Sequence, residues 1–475
     1  MTTMGAPRRP DHVVVVGGGL AGLTAAYRMS QAGSAVTVIE PDRLGGKIQT
    51  SVVAGRAVDE GADAFLLRVP WAAALCRDLD IDGELISPAA RSAEVFVDGT
   101  RRPLPHGHVL GVPTDLDALA ASGLLSPAGV ARVADDLTLP ASPDDPALLG
   151  DDVAIGPYLR RRLGDEVVDH LIDPLVGGIN AGDTASLSLA AVVPQLDAAA
   201  RSGDPSLVRS CLEQRSRATA PADAPIFATP IGGMARLIDA LLALMPGVDM
   251  RVGRRVDAIE VTGPNAVRVT LDDGSALDAD AVVMAAPAHV AGPLLASAAP
   301  IASEVLDGID HASVTMVTLA FDHGALAPDR EFSGCLVPRD QGTLMSAVSY
   351  ATNKWAQLRD PERDDVILRA SAGRFGDDRQ LDMDDADLVE RLLADLDRVI
   401  GLRSGPTEVR IGRWPRSLPQ YEPGHLGRMD ALDASLAHLP IAVAGMALRG
   451  VGIPATIRSA ELAAASLGAT WPTRT

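Results

Sequence analysis

The sequence predicts an α/β fold: a discontinuous main domain built on a βαβ unit, with a second domain threaded through it. Three observations predict it. A β-branched run, His12–Val16, leads directly into Gly17-Gly18-Gly19, a stretch of helix formers and a second apolar run. Later strand-like runs are separated by long helical insertions. Hydrophobic residues make up 47% and charged residues 22% of the 475, a globular balance that excludes extended disorder as the main state.

The elements follow in order. Residues 1–10 read as a disordered start. His12–Val16 reads as a buried parallel strand, apolar on both faces. Leu20–Ala32 has helix formers, with Gly33 as its C-terminal cap. Ala35–Ile39 is a second buried strand closed by Glu40, which completes the βαβ unit. Residues 71–90 and 114–215 read as mainly helical, and the acidic, Pro-rich stretch 133–152 as a surface loop. Glu94–Leu104 alternates around Asp98-Gly99, a hairpin signal. Gly232-Gly233 precedes a periodic helix, Ala235–Leu244. Strands are expected at Asp249–Val252, Ala258–Val261, Val267–Leu271 and Ala281–Ala285, with a turn at Asp273-Gly274. Others are expected at Val314–Ala320, Leu344–Ser349, Val366–Ala370 and Glu408–Ile411. In the acidic segment 376–400, Leu388, Leu392, Leu396 and Val399 fall at helical spacing, so it reads as an amphipathic helix with a solvated acidic face. Its carboxylates lack the order of a calcium loop. Ile441–Ala444 is a last strand, and a helix follows Pro454.

Charge narrows the function classes. Asp and Glu total 62 against 42 Lys and Arg, a net of −20, and Lys47 and Lys354 are the only lysines. That balance excludes a general nucleic-acid binder and tight attraction to anionic lipid. Taken alone it also argues against an anionic substrate, although a site needs only local charge. Cys76, Cys211 and Cys335 form no C-x-x-C pair and no zinc-ligand spacing, so no metal site is expected and a reducing cytosol fits. No apolar run reaches the roughly 18 residues of a membrane span, and no cleavage site follows the N-terminus. The expected location is the cytoplasm.

The glycine motif carries the first chemistry. Gly17-x-Gly19-x-x-Gly22 lies between a strand and a helix, where the three glycines permit a tight turn, close approach to a pyrophosphate and close helix packing. Phosphate charge would rest on free N–H groups at the helix N-terminus. Glu40, about 20 residues on, is placed for a ribose hydroxyl. This is a Rossmann-like dinucleotide site. No second such motif appears. Two further glycine turns, Arg43-Leu44-Gly45-Gly46-Lys47 and Gly445 with Gly450-Val451-Gly452-Ile453, favour an elongated FAD over a nicotinamide cofactor.

Several segments resemble a known family. VVVVGGGLAGLTAAYRM, RLGGKIQT, DEGADAFL and AGMALRGVGIPATIRSA are similar to the FAD-dependent amine oxidase-like superfamily. Within it, Asp173-Pro174-Leu175-Val176-Gly177-Gly178-Ile179-Asn180-Ala181-Gly182-Asp183 with Leu187-Ser188 resembles the flavin-dependent porphyrinogen oxidases. So do Gly232-Gly233-Met234, Ser349-Tyr350 with Lys354-Trp355, and Arg413-Trp414 with Pro419-Gln420-Tyr421 and Gly424-His425. The Gram-positive, actinobacterial type, which oxidises coproporphyrinogen III, looks closest; the related membrane-bound type oxidises protoporphyrinogen IX. Asn180 stands where the family has Tyr or Phe, and Gln49 where the membrane-bound type has arginine.

The resemblance implies FAD, a porphyrinogen substrate and O₂, with hydrogen peroxide released. It implies an FAD-binding domain at 11–70, 225–290 and 425–475. A mixed-sheet substrate domain takes 91–112 and 291–424, and a helical domain at 113–224 covers the pocket or touches membrane. Implied cofactor contacts are Gly17, Gly19, Leu20, Ala21, Gly22, Glu40, Arg43, Gly45, Gly46, Lys47, Gly61, Ala62, Val256, Trp414, Gly445, Met446, Val451, Gly452 and Ile453. Gly178 is the expected backbone beside the reacting face, or else an ordinary turn glycine. Arg68 is either a propionate clamp or a solvated arginine. Asn180, Tyr350 and Lys354 are expected at the substrate, with a surface ion pair the alternative for Lys354. Trp414 and Tyr421 pack either near the isoalloxazine or in the core, and His425 reads as a satisfied structural histidine. A complex with ferrochelatase follows from pathway position alone. The alternatives are a protoporphyrinogen IX oxidase, an amine oxidase, a carotenoid desaturase, and a flavin-binding partner protein without turnover.

Overall fold

Five parallel strands form the first sheet, in the order Asp249–Val252, Ala35–Glu40, His12–Val16, Ala281–Met284, Ile441–Val443. The structure is a computed structural model and describes residues 9–138, 150, 152–217, 224–322, 324–326, 332–360, 362–363 and 365–471. Val13, Val14 and Val15 are fully buried, as a strand covered on both faces requires. The helix Leu20–Gln31 packs on one face with the C-terminal helix Ile453–Ser466. Because the chain passes from the central strand to one side and then returns to the other, the sheet has a topological switch point beside Val16.

Seven strands form the second sheet, in the order Glu408–Pro419, His311–Phe321, Val366–Ala372, Met345–Tyr350, Phe332–Leu336, Ser92–Val97, Thr100–Pro103. It is mixed: the Phe332–Leu336/Ser92–Val97 pair is parallel and its other pairs are antiparallel. The Asp98-Gly99 hairpin forms as expected, with both turn residues at positive φ, 51° and 75°. The helix Asp385–Ile400 buries Leu388, Leu392, Leu396 and Val399 against this sheet and leaves its acids outward, apart from Asp395. Asp395 is buried because its carboxylate accepts from the N–H groups of Leu344 (2.7 Å) and Met345 (3.0 Å).

Four sequence expectations need correction. Residues 71–90 are α-helical only at Trp71–Asp78: Asp80 turns left-handed (φ 60°), the Ile81 N–H returns to the Cys76 carbonyl, Asp82–Glu84 forms one 3-10 turn, and Leu85–Ile86 is a strand. The strand expected at Glu408–Ile411 runs on to Pro419; Pro415 hid it, and the pairing is irregular there, as proline requires. Of the expected surface loop 133–152, residues 139–149 and 151 lie outside the described residues, as do 1–8 of the expected disordered start. Residues 133–137 are helical, and Asp136 is fully buried. It accepts from Arg162 (2.8 Å), Ser206 (2.9 Å) and the Val208 N–H (2.9 Å), so burial leaves no lone charge. Finally, the 114–215 stretch is helical but broken into short pieces, one of them a ten-residue π-helix, Val168–Gly177, that contains Pro174. An i→i+5 pattern has no sequence signature comparable to the 3.6-residue period of an α-helix, and π-type segments gather at functional sites.

A candidate flavin and substrate cavity

A cavity of about 930 Å³ opens at the carboxyl ends of the parallel strands, where open α/β sheets bind ligands. Val16, Glu40, Val443 and Ala285 line it, each at or just past a strand end. Gly17 sits at φ 105°, and a Cβ there would lie 2.9 Å from the Ala285 carbonyl. Nothing lies within 4 Å of a Cβ on Gly19, whose Cα instead faces Gly46. Gly45 N–H donates to the Gly18 carbonyl at 2.8 Å, which locks the second glycine turn onto the first. No side chain caps the helix at Leu20, so its leading N–H groups remain for an anion. Glu40 is buried. Its carboxylate accepts from the N–H groups of Gly18 (2.7 Å) and Asp42 (3.0 Å), which aims the remaining lone pairs at the cavity.

Lys47 extends into the same space. Its ammonium donates to the Ser417 carbonyl at 2.5 Å and has Met446 Sδ at 3.6 Å, with no carboxylate partner among the described residues, so burial pulls its pKa down to about 8. The C-terminal turn is pinned from below by Tyr421: its hydroxyl donates to the Met446 carbonyl and accepts the Gly450 N–H at 2.9 Å. His425 stacks on Tyr421 at 3.9 Å, and its Nε2 meets the Leu448 carbonyl at 2.5 Å, a structural role.

The far end of the cavity is walled by the π-helix. Asp173, Pro174, Gly177 and Gly178 line it, and Gly178 lies in a helical conformation, not in a turn. Residues of the seven-stranded sheet also line the cavity. There Asp63 accepts from Lys354 Nζ (2.9 Å) and Trp355 Nε1 (3.1 Å) and forms an ion pair with Arg369 Nη1 (3.1 Å), and the two cations hold its carboxyl well below the usual carboxylate range even though burial opposes them. Lys354 is thus a cavity residue in a partly buried ion pair.

Most expected cofactor residues meet at this one cavity: Gly17, Gly19, Leu20, Ala21, Glu40, Gly45, Gly46, Lys47, Gly61, Ala62, Val256, Trp414, Gly445, Met446, Val451, Gly452 and Ile453. Gly22 lies beneath, against Gly17. Arg43 lies outside the lining, hydrogen-bonded to Gln49 and 6.0 Å from the Trp414 ring centroid. Three expected substrate residues also lie outside it. Arg68 is exposed. Tyr350 is buried, with its hydroxyl 3.3 Å from Glu94. Asn180 is buried, and its amide donates to the Val176 carbonyl at 2.8 Å, closing the end of the π-helix where the family has an aromatic ring.

Sequence reasoning missed Arg254, Arg255, Arg339, Arg369 and Arg374. With Lys47 and Lys354 they make seven cationic side chains in the lining, beside the four carboxylates Glu40, Glu60, Asp63 and Asp173; Arg254 also pairs with Asp273 (3.0 Å) and Arg255 with Asp257 (3.4 Å), acids outside the lining. Arg369 did leave a signal: it is a lone charge inside the apolar strand Val366–Ala372 and only 4% exposed. Arg339 and Arg374 left none. Among the described residues no group of three or more His, Cys, Asp or Glu could hold a metal, and no helix is long and apolar enough to cross a membrane.

The sheet order, the glycine turns and the lining define a dinucleotide-dependent oxidoreductase fold. The chain belongs to the flavin containing amine oxidoreductase family, whose model matches residues 20–467. It is 33% identical over 466 residues to a coproporphyrinogen III oxidase of Bacillus subtilis, covering 95% of this chain and 97% of the relative. It is 25% identical to the chloroplastic protoporphyrinogen oxidase 1 of Arabidopsis thaliana, covering 89% of this chain and 81% of the relative. Among solved structures it resembles a candidate protoporphyrinogen oxidase from Exiguobacterium sp. 255-15, with a TM-score of 0.85, 30% identity and coverage of 98% and 99%. The cofactor is FAD, and the cavity fits it: a Cβ at Gly17 or Gly61 would strike backbone, and the uncapped helix start and Glu40 present the polar groups that a pyrophosphate and a ribose need.

Proposed function

We propose that the chain oxidises coproporphyrinogen III to coproporphyrin III, with molecular oxygen as the acceptor and three molecules of hydrogen peroxide released per porphyrin. The full-length match to coproporphyrinogen III oxidase carries this reading. The cationic lining of the cavity supports it, because the substrate bears four carboxylates and the chain as a whole carries −20.

Bound FAD supplies two-electron acceptor chemistry, so the six electrons of porphyrin formation need three rounds. The residues of the chain bind and orient. Gly17, Gly19, Gly45 and Gly46 present backbone to the cofactor, Glu40 takes a ribose hydroxyl, and Lys47 offers positive charge. Gly177 and Gly178 give the macrocycle a wall without side chains. The cationic far end holds carboxylates and fixes which meso carbon faces the reacting edge. No acid–base side chain is assigned.

Protoporphyrinogen IX is the second reading, favoured by the name of the Exiguobacterium structure. An amine oxidase is disfavoured: among the described residues Trp414 is the only Phe, Tyr or Trp in the lining, so no aromatic cage forms. A desaturase tunnel is disfavoured by the charges. Hand-over of product to ferrochelatase, a cytoplasmic site of action and peripheral membrane contact through segment 113–224 extend the same reading.

Aerobic assay with coproporphyrinogen III and protoporphyrinogen IX, followed by porphyrin fluorescence, tests the proposal. Turnover of the first well above autoxidation is expected. A large preference for the second overturns the substrate, and no turnover of either by FAD-loaded protein overturns the reaction.

A further inference from the structure

Two guanidinium groups at the far end of the cavity are held in contrasting ways. Arg339 is fixed: its Nη2 donates to the Gly182 carbonyl at 2.5 Å, its Nη1 to the Phe375 carbonyl at 3.4 Å, and its Nε to Asp173 at 3.3 Å. Asp173 is buried and is itself held by Thr184, whose hydroxyl donates to it at 2.8 Å. Arg374 lines the same cavity, half-buried, and among the described residues its guanidinium makes no hydrogen bond or ion pair. Burial and the neighbouring Arg339 push its pKa below the ordinary arginine range. The other cations of this end differ. Lys354 donates to Asp63, and Arg369 forms an ion pair with Asp63 and donates to the Gly61 carbonyl.

The charge count points to a ligand. Arg339 and Arg374 face one buried carboxylate, Asp173. Asp377, the other acid that acts on Arg374 electrostatically, is held in a two-point contact by Arg379 at 2.7 Å. One positive charge is left over beside a cavity, which is where a carboxylate-bearing ligand would bring the site to neutrality.

We propose that Arg374, with Arg339 beside it, binds one carboxylate of the substrate. Asp173 and the Gly182 carbonyl act as positioning groups. The assignment rests on the porphyrinogen reading above and adds to it the residues that select a carboxylate-bearing ring. Both arginines are tied to the wall that carries Gly178. Arg339 reaches Asp173 and Gly182 on either side of it, and the residue after Arg374 donates its N–H to the Ala181 carbonyl at 2.7 Å. A carboxylate held here therefore has a fixed offset from the glycine wall, which sets how the macrocycle lies on it.

The test uses full-length, FAD-loaded protein with Arg374→Gln, Arg374→Lys and a charge control, Arg403→Gln, on an exposed residue outside the cavity. Binding of coproporphyrin III is measured by fluorescence quenching, beside its tetramethyl ester, and KM and kcat are measured with coproporphyrinogen III. Arg374→Gln is expected to weaken binding of the acid and raise KM about tenfold, the loss of one charge-assisted contact, with flavin content unchanged. Arg374→Lys recovers most of the loss, the ester binds wild type and Arg374→Gln alike, and Arg403→Gln matches wild type. If wild type binds and oxidises the substrate while Arg374→Gln does so within twofold, the clamp is overturned and the function stands. If wild type neither binds the acid nor oxidises either porphyrinogen, both fall.

Discussion

A Cβ on Gly22 would lie 1.8 Å from the carbonyl oxygen of Gly17, so helix and turn are packed to a distance only glycine allows. The obstacle is backbone, not a flexible side-chain end, and the helix it belongs to buries ten of its twelve residues. Gly22→Ala must push the helix off the strand, a cost on the order of a few kcal/mol for overpacking. The variant is expected to melt at a lower temperature and to purify without the yellow flavin absorbance. Native flavin content and an unchanged Tm would show that the turn relaxes freely.

Glu40 gives the second prediction. Its carboxylate accepts from two main-chain N–H groups, at 2.7 and 3.0 Å, while lining the cavity. Glu40→Gln keeps the size, gives up the charge and turns one acceptor oxygen into a donor. Apoprotein titrated with FAD is expected to bind at least about tenfold more weakly, the effect of losing a charge-assisted bond. Affinity within twofold of wild type would remove Glu40 from the cofactor site.

These two positions show what was legible in the sequence. Gly17, Gly22 and Glu40 are read from local spacing because a βαβ unit is built from consecutive residues. The acid and the glycines meet within about 30 residues of chain. The buried leucines of Asp385–Ile400 were legible for the same reason, as a helix writes its face every 3.6 residues. The substrate end was not. Asp63 lies 291 residues before Lys354, and only tertiary packing brings it within 3.1 Å of both Lys354 and Arg369. Arg68 looked like a clamp by sequence position and lies outside the cavity, while Arg374, with no local signal, lines it. Prolines also misled: Pro415 disguised a strand that passes through a bulge, and Pro174 lies within a helix of unusual pitch.

Lys47 predicts a pH dependence of cofactor binding. Burial lowers its pKa to about 8, from 10.5, so in the apoprotein it loses its charge as pH rises through about 8. An anionic cofactor favours the charged form and raises the pKa on binding. Affinity for FAD is therefore expected to be flat below pH 7 and to fall between pH 8 and 10, and Lys47→Met should be weaker but flat over the same range. A wild-type profile flat through pH 9 would place the charge elsewhere.

Asp63 predicts a stability change. Its carboxylate is shared by Lys354 and Arg369, at 2.9 and 3.1 Å. Asp63→Asn leaves two cations facing each other across a neutral amide, which costs on the order of 3–5 kcal/mol when a buried partner is removed. Tm should fall clearly at pH 7. Because the folded pKa lies below the unfolded value, the contribution of Asp63 is full above the ordinary carboxylate range and is lost only as pH falls through the depressed pKa. The gap between wild type and Asp63→Asn should thus persist from pH 8 to pH 5 and close in stronger acid. A gap that closes by pH 6 would contradict the pairing.

Gly178 separates a glycine needed by the fold from one needed by the ligand. Its backbone is helical, and a Cβ there would meet only Leu336 Cδ2, at an ordinary 3.8 Å. Nothing in the protein requires glycine at this position, unlike Gly22. In a helix, Ala is favoured over Gly by roughly 0.5–1 kcal/mol, so Gly178→Ala should fold at least as well as wild type and hold FAD as tightly. The added methyl group would stand in the wall against which a flat macrocycle must lie. Gly178→Ala is therefore expected to keep Tm and flavin content but to raise KM or lower kcat for coproporphyrinogen III severalfold, and Gly178→Val more steeply. The decisive pattern is the divergence of the two readouts. If Gly178→Val turns over as fast as wild type, the macrocycle does not lie on this wall; if it loses FAD as well as activity, the glycine serves the fold after all.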